Sequence, residues 1–388
     1  MIRLISGIRH GHTIRNRGRA SDILQYEVIH IMNKRRLVFA VDEASFYKED
    51  HIGVRKKVQM QCRMFEKNGL DVTLKPYSWN GNRINFPVDD DTDILYFRRI
   101  SASYRVGSAL LALKKKNPDL KIVMEIPAYP FDKERKGTIS IKQRLNEAIG
   151  TYMWRLCLDR IALIDNHMDK LYGVPVLTFH NGLDFESVRC RKTEERESIS
   201  LIAVSGCFPW HGYDRLIRGL GEYYKQEVSQ PVDLYIVGEG ECSPGYRELS
   251  DSCGLTEEHV FFCGIRDGAE LDEVFDKSDL AVDCLALHRK GVDYSSSLKS
   301  REYVAKGLPI IASNDFDIEK PDTAKWFLKL PADESDIDIN RIVEYYKEIY
   351  PDTSSQGKES VARSIRETFR PLCDINDTFR EVLDYIKG

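Results

Sequence analysis

The sequence has no hydrophobic run long enough to cross a bilayer. No stretch approaches the roughly 20 consecutive apolar residues that a membrane-spanning helix needs. The first 30 residues also hold no apolar segment bounded by a small-residue cleavage site. We therefore expect a protein that neither spans a membrane nor is secreted, with the cytoplasm as its location.

The sequence also lacks cysteines at the spacing typical of metal sites or disulfide frameworks. The nine cysteines are an odd number, lie scattered along the chain and form no C-x-x-C pair, which argues against a disulfide framework or a structural zinc site. We expect free thiols in a reducing compartment and predict no metal site. The acidic run 89–93 precedes a strand, so an exposed loop is favoured there over a metal-binding Asp-x-Asp motif.

Charge is distributed unevenly along the 388 residues. Residues 33–180 hold 26 lysines and arginines against 18 acidic residues, whereas residues 181–388 hold 26 against 41. A basic first half favours an anionic surface or substrate as its partner. The alternative, that these basic residues only form solvated surfaces and bind no partner, remains open.

The chain contains two series of short β-branched runs that alternate with amphipathic segments. One series covers residues 33–182 and the other covers residues 199–372. This alternation predicts an α/β fold of two Rossmann-like, doubly wound domains that face each other across a cleft holding the active site. The polar stretch 183–198 is the predicted linker, and residues 373–388 are predicted to form a helix that crosses back to the first domain.

The stretch "GIRHGHTIRNRGR" (7–19) near the start of the chain resembles the Arg-His-Gly-x-Thr motif of histidine phosphatases, with His10 as the phosphate-accepting nucleophile. No later segment supplies the second histidine that this chemistry requires. We therefore predict that residues 1–32 form a basic, disordered extension, and keep a phosphatase acting through His10 as an alternative.

The most informative segment is "SLKSREYVAKGLPIIAS" (297–313). It places Lys299 and Glu302 three residues apart at the start of a predicted helix, so that both point the same way. A helix N-terminus preceded by serines attracts phosphate through its amides and its dipole, and Lys299 adds a positive charge. The alternative is an exposed ion pair with no function.

At this segment the chain resembles the nucleotide-sugar glycosyltransferases of the GT-B fold, family 4 (glycosyl transferases group 1). The matching signature residues are Glu302, Tyr303, Ala305, Gly307 and Pro309. The resemblance implies a retaining, metal-independent hexosyltransferase without a cofactor that uses a UDP- or GDP-linked sugar. It also implies that Glu302 binds the ribose hydroxyls and that the amides of Ser297 and Leu298 hold the diphosphate.

Further landmarks resemble the same family in order and spacing: "VSGCFPWHGYDRLIRGL" (204–220), "VGEGE" (237–241) with Gly238, the base-binding strand ending at Ile265, and the glycine loop at Gly53. The chain departs from the family where a second glutamate is usual, since Tyr294 stands there. Asp293 and His288 are the candidates for the missing contacts to the donor sugar. Arg289 or Lys290, with His211 and Lys299, is a candidate for the positive charge at the phosphates.

Two further residues complete the predicted catalytic set with Lys299. His211 replaces the usual lysine of a Lys-Gly pair and is expected to help supply charge to the leaving diphosphate. Glu125 ends the predicted strand "LKIVMEI" (120–126), where a carboxylate could stabilise charge at the anomeric carbon. A structural role for either side chain remains an alternative.

The resemblance implies transfer of a sugar to a glycan or lipid-linked acceptor in surface or capsular polysaccharide synthesis. The expected partners are therefore a nucleotide sugar, such an acceptor and, through the basic first half, an anionic inner membrane face on which the protein is peripheral; no nucleic acid is expected. A non-catalytic protein that binds nucleotide sugars, or assembles with other proteins, is kept as the second reading.

Overall fold

The computed structural model describes residues 34–46, 52–129 and 140–388. The predicted extension 1–32 and its His10 lie outside the described residues. The chain divides into two compact units, and the described part of the first comprises residues 34–46, 52–129, 140–162, 168–176 and 386–388. The second comprises residues 163–167 and 177–385. The predicted domain boundaries and linker remain predictions.

The first sheet has eight strands in the order β3-β2-β1-β4-β5-β6-β8-β7, and β1 pairs in parallel with both β2 and β4. Its strands are β1 Arg36–Asp42, β2 Asp71–Asn80, β3 Arg83–Asn85, β4 Ile94–Arg98, β5 Lys121–Ile126, β6 Arg160–Ile164, β7 Lys170–Leu171 and β8 Val174–Phe179. The helices of this part are α1 Glu43–Phe46, α2 Ile52–Lys67, α3 Tyr104–Lys116 and α4 Ile141–Cys157.

Continuous apolar runs explain the strands at the centre of this sheet. Five consecutive residues of β1 and four of β4 are buried. A parallel strand reads as an uninterrupted hydrophobic run when helices cover both faces of its sheet.

The second unit contains a parallel sheet in the order β11-β10-β9-β12-β14-β16. Its strands are β9 Ile199–Val204, β10 Val232–Val237, β11 Val260–Gly264, β12 Leu280–Val282, β14 Ile310–Ala312 and β16 Phe327–Lys329, and the short β13 Tyr294–Ser295 pairs with β15 Asp315–Phe316. The helices are α5 Tyr213–Tyr223, α6 Ser243–Ser252, α7 Gly268–Lys277, α8 Leu298–Lys306, α9 Ile339–Ile349, α10 Ser355–Cys373, α11 Ile375–Thr378 and α12 Arg380–Lys387, whose last two residues fall in the first unit.

The core of the second unit lies on both faces of this sheet. Leu201 and Ala203 of β9 join one buried cluster with residues of α5, α6 and α9. Ile202 between them joins another cluster with residues of α8 and α10. Because alternate strand residues point to opposite faces, the sheet is covered by helices on both sides. The predicted α/β fold with two Rossmann-like domains is confirmed.

Among the residues that the structure describes, no helix has the length and the apolarity that crossing a membrane requires.

Candidate functional site

The strand order of the second sheet reverses at β9. The chain moves from β9 outward through β10 to β11, then returns to the other side of β9 with β12. In open parallel sheets, ligands bind beyond the carboxyl ends of the strands at such a reversal. The loops that follow β9 (205–212) and β12 (283–297), together with the first turn of α8 that the second loop leads into, therefore form the candidate site, which we call the switch-point site.

Lys299 lies in the first turn of α8 beside a buried acid. Its Nζ is 3.1 Å from Oδ1 of Asp283, whose side chain has no exposed surface. Burial is the largest single effect and lowers the Lys299 pKa, but the Asp283 carboxylate, together with smaller contributions from Cys284, Tyr213 and Tyr303, raises this pKa well above its usual value. Lys299 thus keeps its charge at neutral pH, with 16% of its side chain exposed.

Ser297 caps the helix that carries Lys299. Its Oγ accepts a hydrogen bond from the Ser300 amide at 3.1 Å and donates to Oδ2 of Asp283 at 3.5 Å. A serine at this position satisfies one of the amides that every helix start leaves unpaired. The same acid, Asp283, therefore fixes both the start of α8 and the ammonium group of Lys299.

His211 ends the 3₁₀ helix Pro209–His211, and its Nδ1 accepts a hydrogen bond from the Phe208 amide at 3.0 Å. Burial, together with the positive charges of Lys299 and Lys290, lowers the His211 pKa from 6.5 to about 3. Its ring is therefore neutral at physiological pH and can act as a hydrogen-bond donor, while its predicted catalytic role stays a prediction. With Nδ1 accepting, the proton lies on Nε2, which is a hydrogen-bond donor.

The depressed pKa of His211 predicts a specific dependence of stability on pH. The unfolded chain gains a proton near pH 6.5, whereas the folded chain gains it only near pH 3. The contribution of His211 to the unfolding free energy is therefore fully present above pH 6.5. It is lost as the pH falls from 6.5 toward about 3, by up to about 1.4 kcal/mol per pH unit. His211→Asn keeps an acceptor for the Phe208 amide but does not titrate.

This expectation is tested by urea unfolding of the wild type and His211→Asn across the acidic range. The difference between their unfolding free energies should shrink as the pH falls, while the carboxylates common to both proteins cancel. Two parallel curves would show that His211 titrates as it does in an unfolded chain.

Arg289 and His288 are engaged in an ion-pair cluster. Arg289 binds both carboxylate oxygens of Asp214, at 3.0 and 2.9 Å, and also binds Glu334. His288 Nε2 is 2.8 Å from Glu334 Oε1, and the hydrogen bonds from Arg289 and His288 lower the Glu334 pKa to about 2. The guanidinium of Arg289 is thus committed to two carboxylates, while Lys290 lies 4.2 Å above the ring of Trp210.

Gly238 follows β10 and contacts the loop after β9. A Cβ at Gly238, whose φ is 116°, would lie 1.9 Å from the carbonyl oxygen of Ser205. A Cβ at Gly240 would lie 1.6 Å from the carbonyl oxygen of Gly206. The Gly-x-Gly turn is therefore required so that two backbone segments can approach each other at the edge of the switch-point site.

Arg301 anchors the segment that precedes α8. Its side chain has no exposed surface and is ion-paired with Asp317. Its Nε donates to the carbonyl oxygen of Asn181 at 3.0 Å, and Nη1 donates to that of Ser297 at 3.2 Å. The sequence reasoning missed Arg301 and Asp283, although an acid directly after the buried run "LAV" (280–282) is a detectable signal for the latter.

The other predicted donor-site residues are spread over both units. Glu302 is half-buried in α8 and Leu298 begins that helix, whereas Asp293 is exposed in the loop after β12. Ile265 directly follows β11 and is 77% exposed. Gly53 is the second residue of α2 in the first unit, and a Cβ there would meet no atom within 4 Å. Their predicted roles remain predictions.

Glu125 points into the interior of the first unit. Its side chain has no exposed surface, and its Oε2 accepts hydrogen bonds of 2.8 Å from both Gln61 Nε2 and Tyr96 OH. Arg98 Nε lies 3.5 Å from the other oxygen. The expectation that Glu125 emerges at the strand end is corrected, because it is the second-last residue of β5 and its side chain falls on a covered face.

A pocket of about 790 Å³ opens beyond the carboxyl ends of β1 and β4 in the first unit. Since the strand order of this sheet reverses at β1, the pocket occupies the first unit's own switch point. Its walls combine aromatic, cationic, acidic and amide side chains, among them Trp79, Tyr77, Arg98, Arg99, Asp42, Glu147, Gln143 and Asn146.

Within the described ranges, one group of side chains has ligand atoms close enough together to hold a metal ion, namely Asp165, His180 and Asp317. His180 Nδ1 is 2.7 Å from Asp165 Oδ1, and Arg301 already neutralises Asp317. The residues of the acidic run 89–91 form exposed ion pairs with Lys75, Lys116 and Arg36. Ion pairing thus accounts for both clusters.

Residues 199–333 match the family model described as Glycosyl transferases group 1. Among curated proteins, none matches the sequence. The chain is similar in structure to a glycosyltransferase from Rickettsia africae ESF-5, with a TM-score of 0.58 at 12% identity over 92% of this chain and 98% of that one.

Two other solved structures resemble the chain. The Anabaena protein Alr3699/HepE, solved in complex with UDP and glucose, has a TM-score of 0.52 at 11% identity over 91% of this chain and 99% of that one. WaaG, a glycosyltransferase involved in lipopolysaccharide biosynthesis, has a TM-score of 0.51 at 14% identity over 91% of this chain and 100% of that one. At these identities the likeness establishes the fold.

Proposed function

The chain is a GT-B protein whose second unit matches the group 1 glycosyltransferases, and from this premise we propose that it is a retaining, metal-independent hexosyltransferase. It moves a sugar from a UDP- or GDP-linked donor to a hydroxyl group of a glycan or lipid-linked acceptor in surface or capsular polysaccharide synthesis. The observation that carries this proposal is the charged Lys299 held at the start of α8 by the buried Asp283.

Departure of a nucleoside diphosphate leaves negative charge that the site must stabilise. The ammonium group of Lys299, the amide end of α8 and the Nε2 proton of neutral His211 all belong to the switch-point site. Prearranged positive charge and hydrogen-bond donors of this kind stabilise a leaving group without a metal ion. Because Asp283 and Ser297 fix Lys299 and the start of α8, and the Phe208 amide orients His211, little reorganisation is needed when the bond breaks.

The remaining parts of the donor occupy the same edge of the second sheet. In this proposal Glu302 accepts hydrogen bonds from the ribose hydroxyls, and the base lies near the exposed side chain of Ile265. Gly238 and Gly240 close the floor of the site through their contacts with Ser205 and Gly206. The UDP and glucose in the Anabaena structure and the pathway named for WaaG support this donor class and this setting.

The acceptor binds in the pocket of the first unit. Trp79 offers an aromatic surface on which a sugar ring can stack, and Gln143 and Asn146 offer amide groups to its hydroxyls. The lining also holds two cations, Arg98 and Arg99, and two acids, Asp42 and Glu147, so the pocket offers both hydrogen-bond donors and acceptors to a polar acceptor.

Glu302→Ala tests the donor site. We expect one of UDP-, GDP-, ADP- and CMP-sugars to raise the melting temperature of the wild type. The variant should bind that compound about 10 to 100 times more weakly, since it loses hydrogen bonds to a charged group. The matched control Glu359→Ala, on the exposed face of α10, should respond like the wild type. Equal stabilisation of the wild type and Glu302→Ala would remove the ribose-binding role.

A further inference from the structure

Helix α4 (Ile141–Cys157) exposes a stripe of large apolar side chains. The exposed fractions are 88% for Ile141, 62% for Leu145, 45% for Ile149, 60% for Tyr152 and 57% for Leu156. The spacing of three or four residues puts all five on one face, within an arc of about 80° at about 100° per residue. We call these five residues the α4 stripe.

The packing of the opposite face fixes the direction in which the stripe points. Gly150, Trp154 and Cys157 are the buried residues of α4. A Cβ on Gly150 would lie 2.3 Å from the backbone nitrogen of Ser103, so the helix is in direct contact with the start of α3. Rotation of α4 to bury the stripe would remove Trp154 from the core, and the exposed apolar face is thus a fixed feature of the first unit.

Positive charge flanks the α4 stripe on both sides. Lys142 lies along one edge, Arg144 and Arg155 lie along the other, and all three are exposed. The acidic residue of the helix, Glu147, lies away from the stripe and lines the pocket of the first unit. An apolar stripe edged by cations is the pattern of a helix that lies in the interface of an anionic membrane.

We propose that the α4 stripe docks the protein on an anionic lipid bilayer, with the five apolar side chains inserted among the acyl chains and the three cations at the headgroups. A second copy of the chain fits this face less well. In a symmetric dimer each subunit presents the same surface, so the cations Lys142, Arg144 and Arg155 of one subunit would face those of the other around an apolar contact, and these like charges would repel.

The same helix connects the docking face to the acceptor pocket. Gln143, Asn146 and Glu147 on its other side line that pocket, so the pocket adjoins the bilayer surface when the stripe is inserted. This step rests on the proposed function. If the pocket binds the acceptor, the acceptor is a molecule whose lipid part stays in the membrane while its polar end enters the pocket.

Flotation with lipid vesicles tests the docking face. The full chain is incubated with vesicles of phosphatidylcholine alone and of phosphatidylcholine mixed with phosphatidylglycerol. We expect binding to the mixed vesicles, weakened about tenfold or more in Leu145→Gln/Ile149→Gln by loss of apolar insertion and in Lys142→Glu/Arg144→Glu by charge reversal. The matched control Arg341→Glu/Arg363→Glu changes the charge equally on exposed helices of the second unit and should bind like the wild type.

Three outcomes would overturn the proposal. In the first, the wild type does not bind the mixed vesicles. In the second, both α4 variants bind them as strongly as the wild type does. In the third, sedimentation velocity shows the wild type as a dimer, which Leu145→Gln/Ile149→Gln dissociates. Stabilisation by nucleotide sugars, measured without lipid, reports separately on the proposed function. All α4 variants should retain that stabilisation, because none of the altered residues belongs to the switch-point site.

Discussion

Lys299→Met is expected to lower the rate of sugar transfer by about 100 to 1,000 times, the usual cost of removing one group that stabilises charge in the transition state. The substitution keeps much of the length of the side chain and removes the charge that lies 3.1 Å from Asp283. The measurement is the rate of nucleoside diphosphate release under saturating donor, compared between the variant and the wild type.

The same substitution leaves a buried carboxylate without its partner. Asp283 has no exposed surface, so we expect Lys299→Met to lose about 3 to 5 kcal/mol of unfolding free energy. A second variant separates this loss from the effect on transfer. Lys299→Met/Asp283→Asn removes both charges and should recover most of the stability while remaining slow, whereas recovery of the wild-type rate would show that Lys299 acts only through folding.

Arg301→Met should lose as much stability as Lys299→Met. The guanidinium group is fully buried, is paired with Asp317 and donates to carbonyl oxygens of Asn181 and Ser297. Its removal leaves a carboxylate that is 9% exposed without a countercharge and costs about 3 to 5 kcal/mol. Because Arg301 also anchors the residues before α8, affinity for the donor should fall with stability.

Urea unfolding measures this loss. Arg363→Met is the matched control, since Arg363 forms a pair within α10 with 65% of its side chain exposed, and it should cost less than about 0.5 kcal/mol. Arg301→Met/Asp317→Asn should be more stable than Arg301→Met alone. If Arg301→Met matched the control, the buried pair would have no structural importance.

The helix at Lys299 was predictable because local signals agree. Ser297 is a favourable N-cap, and Gly307, with a φ of 80°, ends the helix in a conformation that suits glycine. The parallel strands were likewise predictable from their continuous apolar runs. Features that depend on contacts between distant parts of the chain were not predictable in this way. The neutral state of His211 depends on burial by separate loops and on Lys299, which no local pattern specifies.

Glu125 and α4 show two other limits of the sequence. A shift of one residue along the strand decides whether the Glu125 side chain points to one face of the sheet or to the other. Its position near the end of a strand does not specify which of these faces it is on. Helix α4 has apolar residues on a packed face and on an exposed face, so the single stripe that identifies an amphipathic helix is blurred. No helix was predicted there, and the docking face was found only from the structure.

Calorimetric titration of the full wild-type chain with UDP-, GDP-, ADP- and CMP-sugars decides whether a nucleotide sugar binds at the start of α8. We expect one nucleotide class to bind at a single site per chain, and Lys299→Met/Asp283→Asn to weaken this binding while the folded structure persists. Absence of binding by every compound, or binding that the double variant leaves unchanged, would contradict a nucleotide-sugar site at the start of α8.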